Sequence, residues 1–242
     1  MEEKNQLQVL LEKWANETAA AYHKLAKEND TCNRAFYTQS DLTKLTKSPD
    51  LLILGINPAD SYNCKYDYPI DAEGNKGQIQ NENWGIPNGM TGKRLLKGNP
   101  FEQNKSKWRI WPPIEKLFNM SDLSYMLEEG RYAYSNMILY ATKDASMIPS
   151  KALELLPYTF KLIDTLAPRY ILCLGRDKKN DVINRFRKSI DDVKDIITNE
   201  MWIGKYNKSI VIILGHPSWR NAWNKHYDEY SHALKEIIES NK

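Results

Sequence analysis

Three short apolar runs, each stopped by a glycine, constrain this chain most. They are Leu51-Leu52-Ile53-Leu54 before Gly55, Tyr170-Ile171-Leu172-Cys173-Leu174 before Gly175, and Ile210-Val211-Ile212-Ile213-Leu214 before Gly215. Each has the length of a strand, and unbroken apolarity is what a strand buried on both faces requires. A further strand is expected over Tyr132 to Leu139, and a short extra one over Met201 to Tyr206. Between them lie stretches of helical period. Leu7 to Lys27 repeats Leu7, Leu10, Leu11, Trp14, Ala21 and Leu25. Trp111 to Leu127 opens on Pro112-Pro113, Ala152 to Leu166 is ended by Pro168, and Asp181 to Lys188 and His226 to Ser240 complete the set. Strands alternating with helices predict a three-layer α/β/α sandwich on a mainly four-stranded parallel sheet. With 242 residues the chain is expected to form one domain, 1–242, with residues 1–48 as a helical N-terminal extension packed on it.

Composition narrows the function classes. Lys plus Arg number 34 against 31 acids, a net charge of +3, so a nucleic acid would have to be held by a local basic face. No apolar stretch has membrane-spanning length, and Met1-Glu2-Glu3-Lys4-Asn5 is too polar for a secretory signal; a cytoplasmic monomer without a membrane partner is expected. Cys32, Cys64 and Cys173 form no Cys-x-x-Cys pair, which removes a four-cysteine iron–sulfur cluster and a cysteine-based zinc site. Phosphate-binding signatures of the Gly-x-Gly-x-x-Gly and Gly-x-x-x-x-Gly-Lys-Ser/Thr types are absent. Neither a cofactor nor a metal is expected.

Two loops hold the candidate chemistry. Gly55-Ile56-Asn57-Pro58 follows the first apolar run, and Gly215-His216-Pro217-Ser218 follows the last. In a parallel α/β sheet such loops lie at the carboxyl edge, where ligands bind. An amide can hold a water and an imidazole can donate a hydrogen bond. That pair suits breaking a bond whose leaving group becomes an anion. From Asn57 to Trp108 the chain is rich in Gly, Asn, Asp and Tyr with little periodicity, a length of irregular chain that is usually functional or mobile.

The motifs resemble those of the uracil-DNA glycosylase superfamily. Gly55-Ile56-Asn57-Pro58 is similar to the first motif of its mismatch-specific and single-strand-selective monofunctional branches. His216-Pro217-Ser218-Trp219-Arg220-Asn221 is similar to the later motif of the single-strand-selective branch, and Tyr134-Ser135-Asn136-Met137 to its middle strand element. The likeness runs as islands from about Asp50 to Tyr227.

The resemblance implies a sheet in strand order two-one-three-four and a monofunctional DNA glycosylase that leaves an abasic site. Asn57 would hold the attacking water, and His216 would donate to a base oxygen as charge accumulates there. Asn136 would read the base edge, with Ile56 beside it. Ser218, Trp219 and Arg220 would lie on the loop that enters DNA once the base is flipped out. Lys93, Arg94, Lys225 and His226 would meet phosphates. No lysine is implied as a nucleophile.

The resemblance departs at one place that matters most. The family stacks a phenylalanine of a Gly-x-Pro-Phe segment on the extruded base; here the counterpart is Gly85-Ile86-Pro87-Asn88, with Asn88 at the stacking position. Either Tyr66, Tyr68 or Trp84 supplies the aromatic face, or the pocket is shaped for a different, bulkier base. The stretch from Pro58 to Gly85 is also longer than in the family, and Ala59 replaces a customary glycine. Three readings follow: a glycosylase for uracil or a related deaminated base, one for a bulky or hypermodified base of foreign DNA, and a non-catalytic nucleic-acid-binding module. Asn57 and His216 together argue against the last, since binding alone does not require that pair.

Overall fold

The computed structural model describes residues 5–28, 36–58, 91–98, 105, 108–142, 145–175, 181–198, 200–217 and 220–241. The strands are β1 (Leu51–Gly55), β2 (Tyr132–Asn136), β3 (Tyr170–Leu174), β4 (Asp191–Ile197), β5 (Met201–Tyr206) and β6 (Ser209–Leu214). The helices are α1 (Gln6–Glu28), α2 (Gly92–Lys97), α3 (Trp111–Met120), α4 (Leu156–Leu166), α5 (Asp181–Arg187) and α6 (Arg220–Glu239).

All six strands form one sheet in the order β2-β1-β3-β6-β5-β4. The first four are mutually parallel, with Leu51 opposite both Tyr132 and Tyr170, and Tyr170 opposite Ile210. β5 and β4 add an antiparallel extension beyond β6. The sheet therefore has six strands, where a mainly four-stranded parallel sheet with a short extra strand over Met201 to Tyr206 was expected; β5 is that extra strand and β4 is the addition. β4 escapes sequence reading because it has neither an apolar run nor alternation: Asp191, Asp192, Lys194, Asp195 and Ile196 are all exposed. The four parallel strands stand two-one-three-four in chain order.

The pleat sorts each strand into two cores. Leu52 and Leu54 of β1 face a cluster closed by α1, α2, α4 and α5; Leu51 and Ile53 face another closed by α3 and α6. Helices thus cover both faces, as unbroken apolar strands require. α1 has no glycine or proline, and Asn5 Oδ1 accepts from Leu7 N at its start. Its buried face runs Leu7, Leu11, Trp14, Ala15, Thr18, Tyr22 and Leu25. This helix is part of the larger core, and Trp14 Nε1 donates to Tyr158 O at 2.8 Å.

β2 ends at Asn136 where a strand to Leu139 was expected, and α2 lies within the stretch expected to be irregular. Three further boundaries differ for local reasons. α3 stops at Met120 because Asp122 is left-handed (φ 58°), and a 3-10 turn, Ser124–Leu127, follows. α4 begins at Leu156 after a 3-10 stretch, Ser150–Leu155; Pro157 in its first turn has no N–H to give to a preceding α-helical turn. α6 starts at Arg220, six residues before the periodic run that marks it in the sequence. Among the described residues no helix is long and apolar enough to cross a membrane.

β2 is the sheet's outer strand, and its edge is covered. Gln39 N and Ser40 N donate to Tyr134 O, Ser40 Oγ accepts from Tyr134 N, and Phe36 pairs with Tyr140. α1 secures the chain beyond β2: Leu139 N donates to Tyr22 Oη at 2.8 Å, and Tyr140 Oη donates to Tyr22 O at 3.1 Å. Burial pushes the Tyr22 hydroxyl well above the usual tyrosine range. Tyr22→Phe leaves the buried Leu139 N–H without its acceptor and should cost about 1–3 kcal/mol. Urea unfolding should show the loss as a lower midpoint with unchanged slope.

Candidate functional site

The parallel order defines where a ligand would sit. The chain leaves β1 for β2 on one side and returns through β3 on the other, so connections diverge at the carboxyl ends of β1 and β3. Such a divergence opens a crevice. Ile56, Asn57, Asn136 and His216 all belong to this edge.

Asn57 is half-buried, and its amide nitrogen has three acceptors: Thr142 Oγ1 at 2.7 Å, Pro58 O at 3.0 Å and Tyr140 O at 3.1 Å. With the nitrogen so engaged, Oδ1 is the group left to accept a hydrogen bond from a ligand. The backbone around it is pinned across β1 and β2: Met137 N donates to Gly55 O, Ile138 N to Ile56 O and Thr142 N to Pro58 O.

Asn136 ends β2 opposite Gly55 and is 1% exposed. Its side chain lies across that glycine: a Cβ added at Gly55 would meet Asn136 Oδ1 at 2.6 Å and Tyr134 Oη at 3.3 Å. Tyr134 and Asn136 are two residues apart on one strand, so they share a face. Among the described residues nothing bonds to Asn136 Nδ2, although it is buried. A buried amide donor without a partner costs about 1–3 kcal/mol.

His216 follows β6. Trp223, buried in α6, donates Nε1–H to Gly215 O at 3.0 Å and so ties the helix to the loop just before the imidazole. Gly175 N donates to Leu214 O, joining the ends of β3 and β6. Gly175 itself has φ +121°, and a Cβ there would lie 2.4 Å from Ile56 Cδ1 and 4.0 Å from His216 Cδ2. Ile56 and His216 therefore both border this glycine, which places the Asn57 loop and the His216 loop near one another.

Desolvation by burial lowers the His216 pKa from the ordinary histidine value. A neutral imidazole keeps one N–H to donate and one nitrogen to accept.

The other named residues that the structure describes lie on helices. Lys93 is exposed on α2, which packs against α1. Arg94 is half-buried, with its pKa lowered by burial and partly restored by Asp41. Lys225 is exposed on α6, and His226 Nδ1 lies 3.0 Å from Glu229 Oε2. Tyr66, Tyr68, Trp84, Asn88, Ser218 and Trp219 lie outside the described residues, as does the side chain of Arg220. Thr142 and Trp223 belong to the site's framework and escape sequence reading; Tyr134, named there only as part of the middle strand element, belongs to it too. Tyr134 alone carries a signal, its two-residue spacing from Asn136. No group of three or more His, Cys, Asp or Glu among the described residues is placed to hold a metal ion.

The fold and site define an α/β protein with a six-stranded, mostly parallel sheet and a polar carboxyl edge. No protein-family model matches the chain, and no curated protein matches it.

Two outcomes test this geometry. Gly175→Ala should destabilise the fold by about 1–3 kcal/mol through its positive φ. Adding Ile56→Ala should return none of that backbone part, as thermal melts of the single and double variants will show. The lowered His216 pKa has a signed consequence. Below about pH 6.5 the unfolded chain binds a proton that the folded chain resists, so this stability is present above that pH and lost as pH falls toward the folded value. His216→Gln should flatten that part of the slope in urea midpoints measured across the same range.

Proposed function

We propose that this protein is a monofunctional DNA glycosylase of the uracil-DNA glycosylase kind, hydrolysing the bond between deoxyribose and uracil or a related deaminated base. The observation that carries the proposal is the Asn136 amide: 1% exposed, with a donor that has no partner among the described residues, at the same sheet edge as Asn57 and His216. An amide edge offers a donor and an acceptor side by side, the complement of a uracil-type edge. The resemblance of the three motifs supports the same reading.

In this mechanism Asn57 Oδ1 accepts a hydrogen bond from water and holds it against the anomeric carbon. The C1′–N bond breaks with its electron pair going to the base, and the water oxygen bonds to C1′. The water's proton ends on the departed base by way of solvent. An amide is not a strong base, and the cation-like sugar does not need one. His216, kept neutral by burial, donates to a base oxygen as negative charge grows there. Positioned donors of this kind are worth about 3–4 kcal/mol in mutational tests.

The direct assay uses labelled DNA carrying uracil, single-stranded and opposite guanine, with a panel of modified pyrimidines. Abasic sites are revealed by alkali. Asn57→Ala and His216→Ala should each lower the single-turnover rate by roughly a hundredfold or more while DNA binding is retained. Equal rates in parent and variants would remove the assignment. Release of a modified base alone would point to a pocket rebuilt for that base, and binding without release to a non-catalytic module.

A further inference from the structure

We propose that Thr142, with the carbonyls of Pro58 and Tyr140, is a positioning device that locks the Asn57 amide in one polarity, and that the site is built for an amide and not for a carboxylate. The inference rests on the catalytic reading of Asn57 for its kinetic consequences, and on geometry alone for its structural ones.

The three acceptors lie 2.7, 3.0 and 3.1 Å from Asn57 Nδ2. Two are backbone carbonyls, which only accept. Turning the amide over would set Oδ1 against both, oxygen to oxygen at hydrogen-bond distance, with no proton between. The polarity is therefore imposed by the backbone, and Thr142 Oγ1 completes the set at the shortest distance. Pro58 O serves twice, accepting from Thr142 N at 3.1 Å as well as from Asn57. Thr142 is 1% exposed, so its hydroxyl cannot turn away into solvent. Drawing both amide hydrogens into the cradle also polarises the group and makes Oδ1 a stronger acceptor for water.

A carboxylate at this position meets the wrong partners. In Asn57→Asp, one carboxylate oxygen would face the Pro58 and Tyr140 carbonyls with nothing to donate. Protonated, the same side chain gives its O–H to the cradle and presents C=O outward, reproducing the amide. Asn57→Asp is thus expected to work as an acid and fail as a base.

The titratable side chains on the described elements here are Tyr134, Tyr140, Cys173 and His216. Burial holds the Tyr134 hydroxyl and the Cys173 thiol above their ordinary ranges and His216 below its own. The Tyr140 hydroxyl donates to Tyr22 O. All are common to parent and variant, but a carboxylate at position 57 would itself favour the charged form of His216, so the melts are compared in the His216→Gln background, where no imidazole titrates at this edge.

The test has a structural arm and a kinetic arm. In thermal melts of the full chain carrying His216→Gln, from about pH 5 to pH 8, the deficit caused by Asn57→Asp should shrink toward acid pH, because a carboxyl whose folded pKa is raised above about 3.9 gives stability that is lost as pH rises. A deficit that is constant, or that grows toward acid pH, overturns the proposal whatever the activity.

In single-turnover release of uracil, the ratio of Asn57→Asp to parent should fall by roughly tenfold or more over the same range, whereas a carboxylate acting as a base would make it rise. Thr142→Val should lower the rate constant by roughly tenfold or more with KM little changed, and Thr142→Ser should recover most of that loss. A rate unmoved by Thr142→Val overturns the positioning role. A melting pattern as expected, with no base released by any chain, leaves the cradle standing and removes the glycosylase reading instead.

Discussion

The pairing of β1 with β2 does not stop where the strands stop. Past Gly55 and Asn136 the backbone bonds continue, from Met137 N to Gly55 O, from Ile138 N to Ile56 O and from Thr142 N to Pro58 O. The rest of the candidate site depends on this continuation. A loop at a sheet edge ordinarily spends its polar groups on water. Here the loop after β1 is held by the segment after β2, which is itself held by Tyr22 of α1. A helix near the start of the chain thus fixes the setting of an amide more than thirty residues later, through two layers of hydrogen bonds that are mostly backbone.

The other half of the edge is fixed by packing. Gly175 leaves room that Ile56 fills, and Trp223 holds the carbonyl just before His216. Both devices are steric or neutral, and neither brings a charge near the imidazole. Burial lowers the pKa of the imidazole and so favours its neutral form. Where a neutral donor is wanted, a nearby carboxylate would be counterproductive, because it would favour the charged form.

Much of the architecture is legible in the chain. Leu51–Leu54, Tyr170–Leu174 and Ile210–Leu214 are apolar on successive residues because helices cover both faces, whereas a strand with one wet face would alternate. The glycines after them mark the edge, and Asn57 and His216 follow from their places beside it; Asn136 is reached only through the motif resemblance, because the expected strand ran on to Leu139 while β2 ends at Asn136. β4 is hidden because exposure on both faces leaves no apolar period to detect. Thr142 is hidden for a different reason: its role is to accept one hydrogen bond from a residue 85 positions earlier. Nothing local distinguishes such a threonine. Trp223 is hidden because the polar residues that open α6 give no helical repeat until the tryptophan itself.

The two borders of the sheet are treated differently. β2 is sealed by residues 36–40, while among the described residues nothing pairs beyond β4, whose charged side chains discourage a passing strand. One border is thus closed by a covering segment and the other, among the described residues, only by side-chain charge, so high salt, which screens charge, would weaken the guard at β4 and leave the one at β2 intact.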